Sequence, residues 1–60
     1  MAAYKIEKWV SGLGTLNEVA AEMEVKLETL DSTTNVLRLT QVVKPGGGTQ
    51  FQGILIYDIA

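Results

Sequence analysis

Two glycine-rich stretches, a row of carboxylates and three large aromatic side chains hold what chemical capacity this chain has. Lys44 to Gln50 reads KPGGGTQ, three successive glycines behind the only proline. Glycine frees backbone N–H groups to converge on a phosphate, normally where a loop runs into a helix N-terminus. Here the glycines lead through Thr49 and Gln50 into a β-type run, no G-K-[ST] is present, and Lys44 precedes the glycines. Proline followed by glycine is turn chemistry, so a hairpin connection is expected. Ser11 to Thr15 (SGLGT) is better placed, because it leads from a strand-like segment into a helix-like one. A dinucleotide fingerprint would need a third glycine where Asn17 stands, and a longer chain to build the parallel sheet around it. A plain strand-to-helix turn is the expectation, with the weak anion affinity of a helix start as the alternative.

Glu18, Glu22, Glu24 and Glu28 fall on the helix-like segment and read as a solvated face, not as an acid/base pair. Tyr4, Trp9 and Tyr57 could stack on a flat ligand, although core or interface packing is the commoner role of such rings. Trp9 and Tyr57 are the candidates for lining a small-ligand site. Histidine and cysteine are both absent. Their absence removes Ser-His-Asp and Cys-His catalysis, disulfides, zinc fingers and iron–sulfur clusters. No calcium-loop spacing occurs either. We expect no enzyme, no cofactor and no metal site.

These groups need elements to position them. Sixty residues make one domain, 1–60. A chain so short buries only about 60% of the surface its unfolded form exposes, and needs disulfides, metal or oligomerisation to be stable. Oligomerisation alone remains. The hydrophobic fraction of 47% and the formal charge of −2 fit a globular protein and argue against nucleic acid as a partner. No apolar run reaches the roughly 20 residues that span a bilayer, and the opening MAAYKIEKW lacks a signal peptide's apolar stretch. The expectation is a cytoplasmic protein without a membrane partner.

Tyr4 to Val10 alternates with period two and predicts a strand, which Gly12 and Gly14 end. Thr15 and Glu18 stand in capping-box spacing. Behind them Leu16, Val19, Ala20, Met23, Leu27 and Leu30 form a stripe about 100° wide, which predicts a helix from Leu16 to Leu30. Met23 to Thr29 also alternates strictly, so a short helix ending near Glu22 and then a strand is the rival reading. The long helix is preferred because nothing between Ala20 and Val25 stops a helix. Asp31 to Asn35 is a turn cluster.

Val36 to Val43 and Phe51 to Ile59 are strands joined by KPGGGTQ. Pairing Val43 with Phe51 sets Gln41 opposite Gly53, Leu39 opposite Leu55 and Leu37 opposite Tyr57, all on one apolar face. The other face then holds Val36, Arg38, Thr40 and Val42 beside Gln52, Ile54, Ile56 and Asp58. One helix covers only one side of a sheet, so Val36, Val42, Ile54 and Ile56 are the candidate interface residues. The segment from Ile54 to Ile59 is the most apolar and is expected to be the central strand. The fold class is α+β, β-α-β-β, with one helix on a three-stranded, or four-stranded, mostly antiparallel sheet.

Tyr4-Lys5-Ile6, Leu16-Asn17-Glu18, Ala20-Ala21-Glu22 and Glu24-Val25 together resemble a family of short bacterial proteins of unknown function. Met23 stands where that family has Gly-Trp, so its strand after a short helix is not carried over. The resemblance implies no activity. The β-α-β-β order and the length are also similar to those of dodecins, small flavin-storing shells. That likeness is one of topology, matches no motif, and implies no ligand residue here. Two functions follow as expectations: a non-enzymatic homo-oligomer acting by self-assembly or protein binding, or a flavin-like ligand store with its site between subunits.

Overall fold

The computed structural model describes residues 3–59. In chain order it contains strand β1 (Ile6–Val10), helix α1 (Leu16–Glu28), strand β2 (Leu37–Val43), a short 3₁₀ turn (Pro45–Gly47) and strand β3 (Gln52–Asp58). The strands form one antiparallel sheet in the order β1-β3-β2, with α1 packed against β3. The predicted β-α-β-β order and the central last strand are both present.

The helix begins as the T-L-N-E pattern predicts. Thr15 Oγ1 accepts from the Glu18 N–H at 3.2 Å, and the Glu18 carboxylate accepts from the Thr15 N–H at 2.9 Å. Residues 23–28 are helical, so the rival strand is not formed. The helix ends at Glu28, two residues short of the predicted Leu30. There the Thr29 hydroxyl donates to the Lys26 carbonyl at 2.6 Å and takes over an end carbonyl. The turn that follows is built on Asp31. Its carboxylate accepts from the Thr33 N–H at 2.8 Å, and Asn35 ties the turn to β3 by donating to the Asp58 carbonyl at 2.9 Å.

The hairpin register differs from the one predicted. Val43 pairs with Gln52, Val42 with Gly53, Gln41 with Ile54, Thr40 with Leu55 and Leu39 with Ile56. Only Leu37↔Tyr57 matches the expectation, because a bulge between Leu37 and Leu39 absorbs one residue. A slip of one residue exchanges the faces of a strand. Val42 and Thr40 therefore lie on the helix side with Gly53 and Leu55, while Leu39 and Val43 lie on the opposite side. The connection reaches its tip through Gly46 and Gly47, at φ 65° and 69°. Those left-handed values are open to glycine at little cost.

The buried apolar side chains are Val19, Leu55 and Tyr57. Gly53 seats the helix: a β-carbon there would lie 2.8 Å from Met23 Cγ and 3.1 Å from Val19 Cγ1. Ser11, also buried, extends the β1–β3 ladder by one rung. Its N–H donates to the Gly53 carbonyl at 2.9 Å, and its hydroxyl accepts from the Gly53 N–H at 2.7 Å. The molecule is a thin slab of 41 × 24 × 12 Å. Its Cα radius of gyration is 12.7 Å, where a closed domain of this length has about 10 Å.

Candidate interaction surface

Because directly opposed residues in an antiparallel ladder share a face, the pairing defines the side of the sheet away from α1. Two rows cross its centre: Lys8–Ile56–Leu39 and Val10–Ile54–Gln41. Ile6 and Asp58 stand at one end of these rows and Gln52 and Val43 at the other. No element of the described chain covers them. Ile6 is 50% exposed, Val10 43% and Leu39 38%, while Ile54 and Ile56 are half-buried by their neighbours alone.

Polar groups border this apolar centre. Arg38, at the bulge, grips Asp58 with two hydrogen bonds, Nε to Oδ1 at 2.9 Å and Nη2 to Oδ2 at 2.8 Å. These bonds, and the charge behind them, hold the Asp58 carboxyl below its usual range and raise the guanidinium further. The two ions neutralise each other, and among the described residues Lys8 is the charge of this face without an ion-pair partner.

The predicted interface residues separate. Ile54 and Ile56 lie at the centre of the uncovered face. Val42 is moved by the register to the helix side, beyond the reach of α1, and is 40% exposed. Val36 precedes β2 and, with Leu27, Leu30 and Leu37, lines a groove between the end of α1 and β2. Val43, opposite Gln52, occupies the place on the bare face that the sequence reading gives to Val42, and Leu39, opposite Ile56, the place it gives to Arg38. The missing signal was the bulge, which nothing in LRLTQVV announces.

The ligand candidates separate as well. Tyr57 is buried, 3% exposed, with the Lys26 ammonium 5.6 Å from its ring centre. Trp9, half-buried on the helix side of β1, lines an open groove of about 460 Å³ with Ala21, Glu22, Val25, Lys26 and Thr29. The two rings do not line a common site. At SGLGT two backbone N–H groups ahead of the helix are taken by the chain's own carboxylates, and the Glu18 N–H by the Thr15 hydroxyl. Glu18 accepts from Thr15, and Glu22 accepts from the Gly12 N–H at 3.4 Å. The Thr15 bonds hold the Glu18 carboxyl low. KPGGGTQ is the hairpin tip. Lys44 rests 4.9 Å from the Phe51 ring centre, and the Gly14 and Phe51 backbones bond reciprocally just behind it.

Among the described residues no three carboxylates stand close enough to hold a metal ion, and no helix is long and apolar enough to cross a membrane. Comparison with protein-family models, with curated proteins and with solved structures finds no match.

Proposed function

We propose that this chain is a non-enzymatic cytoplasmic protein that acts by assembling with copies of itself, with the helix-free face of the sheet as the shared surface. The observation that carries this reading is the uncovered apolar centre around Ile54 and Ile56. Surface bookkeeping agrees with it. The chain exposes 4454 Å², against about 3,800 Å² for a closed monomer of its mass. The surplus of roughly 600 Å² approaches the ~800 Å² that each partner contributes to a standard interface. Three buried apolar side chains among the described residues are also a small core for a domain without cysteine, so neighbouring copies would supply the remaining stability.

Native mass spectrometry and sedimentation at micromolar concentration test the proposal. The expected result is a discrete oligomer whose melting temperature rises with protomer concentration. Ile54→Lys and Ile56→Lys alter the bare face, leave Val19, Leu55 and Tyr57 in place, and should shift the population to monomer. A monomeric parent chain with a concentration-independent melting temperature would overturn it.

The Trp9 groove favours a second reading, a small-ligand store. Its volume falls within the ~300–1,000 Å³ typical of ligand sites, and its apolar lining carries two charged side chains. The same mass spectra decide it, since a retained ligand adds nonprotein mass to each subunit.

A further inference from the structure

Strand β3 is apolar on both sides, with Ile54 and Ile56 toward the bare face and Leu55 and Tyr57 toward the helix, as a central strand should be. Strand β2 has the same two-sided character at the rim of the sheet. Leu39 and Val43 face the bare side, Leu37 and Val42 the helix side. Three of these four are exposed: Leu37 and Val42 because α1 sits over β3 and leaves β2 open, and Leu39 because no element of the described chain covers the bare side. Such composition belongs to an interior strand, and β2 is an edge.

The two edges differ in how they are defended. β1 carries Glu7 and Lys8 within five residues, with Lys5 just before them. Charges of this kind blunt an edge against pairing. Strand β2 has none from Leu39 to Val43. Its single charge, Arg38, lies at the bulge and is held by Asp58. The bulge closes one end of β2, Pro45 closes the other, and the uncharged run LTQVV lies between them.

We infer that this run pairs antiparallel with the same run of a second copy about a two-fold axis at Gln41, joining two three-stranded sheets into one of six strands. The inference rests on the self-assembly reading and names its junction. The register is self-complementary. Leu39 comes opposite Val43 on the bare side, Thr40 opposite Val42 on the helix side, and the two Gln41 amides meet at the axis, each able to donate and to accept. Moving the axis to Thr40 would set Arg38 against Val42, and moving it to Val42 would bring Pro45 into the ladder. With the axis at Gln41, Arg38 and Lys44 of the two copies face each other only beyond the ends of the run. Each is drawn aside, Arg38 by Asp58 and Lys44 by the Phe51 ring. Both helices lie on the same side of the joined sheet, so its bare face is twice as wide and remains free for a second, face-to-face contact.

The chain has no cysteine, so a single introduced thiol reports the junction. Gln41→Cys places two sulfurs across the axis, with α-carbons about 4.5–5.5 Å apart, within disulfide reach. It should convert to covalent dimer under mild oxidation, while Glu7→Cys on the other edge stays single. Thr40→Lys alters an exposed side chain and should halve the subunit number or reduce the protein to monomer, with the far-ultraviolet dichroism unchanged. If the parent chain is oligomeric, yet Gln41→Cys cross-links no faster than Glu7→Cys and Thr40→Lys keeps the subunit number, the junction is overturned and self-assembly stands. A monomeric parent overturns both.

Discussion

Replacing Gly53 with alanine adds one methyl group at the place where the helix meets the sheet. The new carbon would lie 2.8 Å from Met23 Cγ and 3.1 Å from Val19 Cγ1, and closer still to Met23 Sδ. Met23 is half-buried and can swing away, at the loss of its packing. Val19 is fully buried and has a stiff β-branched side chain, so it yields only if α1 lifts. Overpacking of this kind costs about 1–3 kcal/mol. The gain in strand rigidity on leaving glycine offsets roughly 0.5–1 kcal/mol of that. The net expectation is a loss of about 0.5–2 kcal/mol, a sizeable part of the ~3–5 kcal/mol that a core of this size supplies. Urea unfolding followed by Trp9, the sole tryptophan, measures it at one fixed protomer concentration. The cause is checked by adding Met23→Ala. If Met23 is the obstacle, the pair of substitutions costs less than the two single costs together, by about 1 kcal/mol. A neutral or stabilising Gly53→Ala, or strictly additive costs, would refute the reasoning.

Ser11→Ala removes the hydroxyl that accepts from the buried Gly53 N–H. Leaving that donor unpaired should cost about 1–3 kcal/mol, read as a fall in the urea midpoint at unchanged slope. Acid should destabilise the protein through three carboxylates. Glu18 is held low by Thr15, Asp31 by Thr33 and Asp58 by Arg38. Each has a folded pKa below its unfolded value, so its contribution is present at neutral pH and is lost as pH falls through the folded value. Without histidine, stability should be level from about pH 5 to 7 and fall below about pH 4. Stability that rises on acidification would contradict this sign.

Local features of the fold were legible in the sequence, and the face assignment was not. The capping box is a contact between residues three apart, so T-L-N-E announces it. The apolar run from Ile54 to Tyr57 has no solvent side and marks a central strand. Register is a different kind of quantity. It depends on how many residues a loop takes and whether a strand bulges, and one residue of error moved Val42 off the bare face and Leu39 onto it. Gly53 and Ser11 escaped notice for a related reason. Each matters through a partner 30 or more residues away along the chain, and neither stretch carries a local trace of that partner. Ile54 and Ile56 were placed on the uncovered side because a single helix covers only one side of any such sheet. They reached it although the assumed register was off by one, since the bulge and the slip changed only what lies beside them.

The two ends of the described chain leave the sheet side by side. Ile6 pairs with Asp58, and the Ile59 N–H donates to the Lys5 carbonyl at 2.8 Å. A tension applied through both flanks therefore loads the β1–β3 ladder from one end, and its hydrogen bonds bear the force in succession instead of together. Such a ladder peels like a zipper, at far lower force than one pulled lengthwise in shear. The first strand to come away is β1, and its departure bares the β3 ladder to any free strand of matching pattern. The same adjacency that closes the sheet at rest makes this corner its mechanical fuse.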